Sequence, residues 1–386
     1  MISIAKYLSG KGIDVSKKSS LSDVKHVFIV PDNTYRIVET ELDFIYNDGV
    51  INLTKYYRIL LKEWFYALKK DGKIIIKFIE SDWFSSDFLK EEVELLFGDS
   101  VSVIFERKEN KKDGGSCFLV LNKNISGPYY PEGINNWSFG IITNGKKMDA
   151  LAKIIASIRH QNIPNYEIII CGTYGGLIEE DTKYIHFTEN DHRGWITKKK
   201  NLICDKAKFE NLFVLHDRIV LNPGWFAGMK KYGNNFEVLS CKIDHKTIRT
   251  YDWITSRYPY KDPRSRQYFG GYLEYSDWDQ WIYIDGGAII LKKIVWEKVK
   301  WDENLFWNEA EDLKLSHDQT EHGILIRFNP YSTCESLTWR HPSSKLIFKK
   351  NKKKLGKLSG PFHYLIGKKL LNYSVLVKNK FKNEKL

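Results

Sequence analysis

The stretch "LFVLHDRIVLNPGWF" (residues 212–226) runs four apolar residues into an imidazole, a carboxylate and a guanidinium, then turns at Pro223-Gly224-Trp225. A strand ending on His216, Asp217 and Arg218 can hold a divalent metal, take an anion or close a surface ion pair. A second concentration of carboxylates, Glu309, Glu311 and Asp312, falls in "FWNEAEDLKLSHDQTEHG". Glu309 and Asp312 are three apart and share a face if that segment is helical. Acids at a helix start are also favoured by the helix dipole without any chemistry.

The elements that must position these groups alternate. "SFGIIT" reads as a strand, "MDALAKIIASIRHQ" as a helix with Leu151, Ile154, Ile155 and Ile158 on one face, and "YEIIIC" as a fully apolar strand. "NLFVL" and "GGAIILKK" supply two more strands. Ligands of such sheets lie beyond the carboxyl ends of the strands. Thr143-Asn144, Gly172-Thr173 and His216-Asp217-Arg218 sit at those ends and are expected to line one crevice. Lys199, Lys200 and Asn201 in "TKKKN" are further phosphate or ribose candidates, or equally a solvated charge run. Asp285, Gly286 and Gly287 allow close approach of backbone to a ligand.

The chain divides unevenly. Its 386 residues suggest two domains, and 42% apolar and 14% aromatic content supports real cores. "KNISGPYYPEGINNW" is rich in turn formers, so residues 1–124 and 137–344 are expected as two units joined by a 125–136 linker. The net charge of +12 resides entirely in residues 345–386, which hold 13 lysines and one acid, Glu384. The body is therefore neutral, which argues against a nucleic-acid-binding role. Five scattered cysteines form no CxxC pair, so neither a zinc ribbon nor a disulfide framework is indicated. No signal-peptide core or spanning segment is evident, and a cytoplasmic setting is expected.

Within the first unit, "KHVFIV" and "GKIIIKFI" are strand candidates. "LTKYYRILLKEWFYALKKDG" reads as a helix with Tyr57, Leu60, Leu61, Trp64 and Leu68 on one stripe, Lys69 and Lys70 in its last turn and Gly72 as its cap. Strand–helix–strand in this order suggests a parallel α/β sheet.

Four stretches in order over about 200 residues resemble a family 2-type glycosyltransferase of the GT-A fold: "GIITNGKKMDALAKIIASIRHQNIPNYEIIICG", "GWITKKKNLICDKAKFENLFVLHDRIVLNPGWF", "IDGGAIILKK" and "FWNEAEDLKLSHDQTEHG". The resemblance implies a mixed, mostly parallel α/β sheet, a nucleotide-sugar donor, and a glycan or lipid-linked glycan acceptor. Glu311-Asp312 matches the family's "ED" pair, which makes Asp312 the implied base for an inverting transfer, with Glu311 orienting the acceptor or the base. At the strand end, the family's metal-binding acid is replaced by Arg218. Two readings stay open. Asp217 with His216 or His341 holds Mn²⁺ or Mg²⁺, imidazole suiting Mn²⁺ better. Alternatively, Arg218 and nearby lysines supply the charge themselves. A glycan-binding scaffold on an inactive fold of this type is the alternative function.

The first unit resembles a class I S-adenosylmethionine methyltransferase through "GKGIDVSKK", the strand–helix–strand ending in "DGKIIIKF", and the hairpin "FERKENKKDGGSCFLVLNK". The glycine-rich turn that should follow "GIDV" is "SKKSS", so backbone approach to a cofactor is hindered. A shortened domain without methylation, and no bound S-adenosylmethionine, is the expectation. The lysine-rich tail, with Ser359 and Pro361 suiting a helix start, reads either as a segment for an anionic membrane surface or as a helix packed on the body. The first reading puts the protein at the inner face of a membrane.

Overall fold

The computed structural model describes residues 4–16, 18, 20–26, 41–108, 116–125, 132–256, 270–275 and 281–338. His341, the tail at 345–386 and the centre of the expected linker lie outside the described residues. So does all of "VFIV" after His26.

The first sheet contains β1 (Gly12–Asp14), β2 (Lys25–His26), β3 (Leu42–Asp48), β4 (Leu68–Ile79), β5 (Val101–Lys108) and β6 (Ser116–Lys123), in the order β2-β1-β3-β4-β6-β5. Strands β2, β1, β3 and β4 pair in parallel, while β6 runs antiparallel between β4 and β5. Among the described residues two α-helices serve it, α1 (Tyr57–Ala67) and α2 (Ser86–Phe97). Strand–helix–strand forms through β3, α1 and β4, with β3 rather than the expected "KHVFIV" as the strand that leads into the helix.

The helix ends earlier than its stripe suggests. It stops at Ala67, and Leu68 already belongs to β4, so Lys69 and Lys70 are strand residues and Gly72 is no cap. Lys123 reaches in from β6 instead, donating to the Phe65 and Leu68 carbonyls at 3.0 and 2.7 Å. A buried ammonium at the negative end of the helix does what the αL glycine would have done. Burial pushes that lysine down to about 8.

The second sheet is built from β7 (Asn136–Thr143), α3 (Met148–Arg159), β8 (Asn165–Gly172), β9 (Thr182–His186), α4 (Ile196–Lys206), β10 (Asn211–His216), β11 (Ile219–Leu221), α5 (Trp225–Tyr232), β12 (Val238–His245) and β13 (Ile248–Arg249). It continues, after a small three-stranded sheet of β14 (Ile254–Ser256), β15 (Gly270–Tyr272) and β16 (Ile282–Tyr283), through β17 (Ala288–Lys292), α6 (Lys293–Lys298), α7 (Glu311–Glu321) and β18 (Ile326–Ser336). The large sheet is ordered β11-β18-β12-β17-β10-β7-β8-β9, with β13 paired to β12. Strands β10, β7, β8 and β9 are parallel; β17 is antiparallel to its neighbours. The α/β class expected from the sequence holds. Leu151, Ile154, Ile155 and Ile158 form the buried face of α3, as their spacing predicts. Trp253 belongs to the core, and the five cysteines are buried thiols. No described helix is long and apolar enough to cross a membrane.

The two sheets share a hydrophobic core in which Leu60, Leu61 and Trp64 of α1 join Leu325 and Phe328 from around β18. Every residue of α1 from Ile59 to Ala67 is buried, its two central charges included. Each finds a partner from the second sheet. Lys62 Nζ meets Glu237 Oε1 at 2.6 Å and the Gly323 carbonyl at 2.8 Å, and Glu63 takes Arg327 at 2.5 Å. Charges at this depth need partners because desolvation otherwise wins. Removing one should therefore be severe. Lys62→Ala is expected to lower unfolding free energy by about 3 kcal/mol, measured by urea denaturation. Both sheets should still unfold in one transition; separate transitions for the two would contradict the shared core.

Candidate active site

Each parallel strand that reaches the site ends on a residue that touches its neighbour. Thr143 closes β7, and its hydroxyl donates to Asp217 Oδ2 at 3.0 Å, just past the end of β10. The Thr143 hydroxyl oxygen also accepts the Gly145 N–H at 3.0 Å, tightening the turn into α3. Gly172 closes β8 at φ 134°, and a methyl there would lie 1.9 Å from the Thr143 carbonyl oxygen. Only glycine fits so close a crossing of two strand ends. Asn144 and Thr173 are exposed beside them. Asn144 accepts the Lys146 N–H at 3.2 Å.

The turn before β17 approaches from the opposite side. The His216 N–H donates to the Gly287 carbonyl at 2.9 Å, tying that turn to the end of β10. Arg218 is held by four groups. Nη2 meets Asp285 Oδ2 at 3.3 Å, and Nη1 donates to Ser336 Oγ at 3.1 Å and to the Thr338 carbonyl at 3.5 Å. Its backbone N–H donates to the His216 carbonyl at 2.6 Å. A methyl on Gly287 would sit 2.6 Å from Nη2, so the guanidinium lies against bare backbone.

The carboxylate end is built by α7. Its first residue, Glu311, pairs with Lys200 Nζ at 2.7 Å, and the lysine is fully buried. Asp312 Oδ2 accepts the Gly286 N–H at 3.0 Å, and Oδ1 accepts from Leu313 N at 2.8 Å. Part of Asp312 remains accessible. Burial first, then the negative charges of Glu311 and Asp285, push its carboxyl up to about 8, against the Gly286 N–H and Lys200.

The structure thus brings together Thr143, Gly172, His216, Asp217, Arg218, Asp285, Gly286, Gly287, Glu311 and Asp312, with Asn144 and Thr173 at the edge. It directs three expected donor-binding residues inward. Lys199 bonds the Thr143 carbonyl and Asp191, at 2.8 and 2.6 Å. Lys200 is under the site with Glu311. Asn201 joins Trp296, Trp301 and Glu303 through both ends of its amide. These three side chains are buried because Asp191, the start of α7 and the Trp296–Glu303 region close around α4, so residues 199–201 are not a solvated run. Glu309 does not share a helix face with Asp312, since α7 begins at Glu311; it accepts the Phe306 N–H at 3.1 Å. Lys147, absent from the sequence-derived list, reaches to 3.6 Å from Asp217 Oδ1. Its position in the turn after β7 was the available signal. His245 and His322 bond main-chain carbonyls, and His317 stacks on Trp281, which are structural roles.

A divalent metal needs several oxygen or nitrogen ligands converging on one point. Among the described residues, no group of three or more His, Cys, Asp or Glu does so. Asp217 has Lys147 on one side and Arg218 next in the chain, and Asp285 is ion-paired. Among the described residues this donor set does not fit a metal cage, and His341 lies outside them.

No protein-family model matches the chain, and no curated protein matches it. Among solved structures, the crystal structure of GalNAc-T7 with UDP, GalNAc and Mn²⁺ is 14% identical over 54% of this chain and 44% of that one, at a TM-score of 0.42. The S. aureus TarS 1–349 structure is 12% identical over 51% of this chain and 60% of that one, at 0.35. A longer S. aureus TarS structure is 12% identical over 53% and 37%, also at 0.35. The chain spans less than two thirds of each of these proteins. These overlaps are partial, and the chemistry is read from the residues of the site.

The raised Asp312 carboxyl has a stability consequence. A carboxyl that binds its proton more tightly when folded contributes stability present below its unfolded pKa, about 4, and lost as pH rises through its folded value. Stability should therefore decline between pH 4 and about 8 on this account. Asp312→Asn should flatten the decline, read from urea midpoints across that range. An unchanged slope would show that Asp312 is not the titrating group.

Proposed function

We propose that the chain is a nucleotide-sugar-dependent glycosyltransferase with an inverting mechanism. The observation that carries this reading is the convergence of one accessible carboxylate, Asp312, with Asp217 and Arg218 at the carboxyl ends of the strands. In this reading the donor's diphosphate lies near Asp217, Arg218 and Lys147, and the sugar lies over the bare backbone of Gly286 and Gly287. Asp312 takes the proton of the acceptor hydroxyl as the acceptor oxygen bonds to the sugar carbon and the bond to the diphosphate oxygen breaks. A base with a pKa near the working pH suits this step. Glu311, fixed by Lys200, orients the start of α7 and keeps negative charge beside Asp312.

The acceptor is read as a glycan or lipid-linked glycan, with the basic tail, outside the described residues, meeting an anionic membrane surface from the cytoplasmic side. The first sheet is read as a methyltransferase-like domain without methyl transfer. Its antiparallel strand inserted between β4 and β5 supports the likeness. The end of β1 supports the loss of activity: the Asp14 carboxylate is occupied by the amides of its own loop, at Ser16, Ser20 and Leu21.

Turnover of UDP-, GDP- or dTDP-sugars, by hydrolysis or transfer, should fall by roughly 10²–10⁴-fold in Asp312→Asn while nucleotide binding persists. In the wild type kcat/KM should rise with pH through about 8. Glycan binding with no nucleotide affinity would instead identify an inactive scaffold.

A further inference from the structure

We propose that the donor's diphosphate is neutralised by fixed side-chain cations, Arg218 with Lys147, and not by a divalent metal; this rests on the glycosyltransferase reading above. Three independent features of the site converge on it.

The first is the chemistry of Asp217. Its carboxylate accepts the Thr143 hydroxyl at 3.0 Å through Oδ2 and has Lys147 Nζ 3.6 Å from Oδ1. A metal bound there would face an ammonium on one side and would gain no second carboxylate, because the next residue is a guanidinium. The second is how rigidly Arg218 is held. Asp285, Ser336 and Thr338 take three of its five N–H groups, and its own N–H and carbonyl bond His216 and Leu337 at 2.6 and 2.7 Å. A cation fixed beforehand stabilises developing negative charge without reorganising during the reaction. The remaining N–H groups of a planar guanidinium match phosphate oxygens better than a lone ammonium does.

The third is room. Arg218 keeps 21% of its side chain accessible, and Gly287 leaves the backbone beside Nη2 bare. A phosphate can reach the guanidinium through that accessible part. A side chain at residue 287 would displace the guanidinium, since a methyl there would lie 2.6 Å from Nη2. Lys147, 42% accessible at the mouth, adds a second positive charge that can swing onto the same diphosphate. Asp217 then serves to place Lys147 and Thr143 and takes no part as a metal ligand.

The test is calorimetric titration of the full chain with UDP, GDP and dTDP in turn, each in EDTA and in Mn²⁺. At least one nucleotide should bind with affinities in the two conditions that agree within a few-fold. Arg218→Gln should weaken that binding by roughly tenfold to a hundredfold in both, and Arg218→Lys should recover part of the loss. Thermal melts confirm that each variant is folded. Binding that appears only with Mn²⁺ would overturn the proposal and leave the glycosyltransferase reading standing. Binding in EDTA that Arg218→Gln does not change would overturn the role given to Arg218. No binding of any nucleotide in either condition would overturn both.

Discussion

The ion pair between Lys200 and Glu311 constrains everything else at the site. It joins α4 to the first residue of α7 across 2.7 Å, with the lysine fully buried and its ammonium 5.4 Å from the Trp301 ring centroid. Desolvating both charges is costly, and removing one partner of such a pair typically costs about 3–5 kcal/mol. The pair also dictates its neighbour: a methyl on Gly286 would stand 2.4 Å from Glu311 Oε1 and 3.0 Å from Lys200 Nζ. Because Gly286 must stay bare, its N–H can reach Asp312. The position of the proposed base thus follows from a salt bridge it does not belong to.

The far end of α7 is held by the other sheet. Lys55, just before α1, pairs with Glu321 at 2.8 Å, and Lys62 donates to the carbonyl of Gly323. Arg58 packs so close to Gly323 that a methyl there would lie 2.8 Å from its Cβ. A helix anchored by Lys200 at its start and by α1 at its end has little freedom to tilt. This gives the first sheet a physical role that needs no cofactor: it fixes the helix that presents Glu311 and Asp312.

Much of this was legible in sequence, for a definable reason. β7, α3, β8 and β10 are runs whose apolar spacing reports local burial, and the ends of those strands mark the crevice without any knowledge of distant contacts. What was misread depended on partners far along the chain. Lys200 and Asn201 look solvated until α7 and the Trp296–Trp301 region are placed against α4. The end of α1 looks like a Gly72 cap until Lys123 arrives from β6. The helix's own spacing likewise carries no sign that Glu237 and Arg327 pair with Lys62 and Glu63 in the core. In each case a polar or charged side chain is drawn into the core by a residue more than fifty positions away, which periodicity cannot report.

The most direct measurement is a crystal structure of Asp312→Asn with an intact nucleotide sugar, the donor chosen for the largest thermal stabilisation. The account predicts the diphosphate beside Arg218 and Asp217, and the sugar over Gly286 and Gly287 with its reacting carbon facing residue 312. A nucleotide seated elsewhere, such as at the end of β1, or a sugar turned away from residue 312, would contradict it.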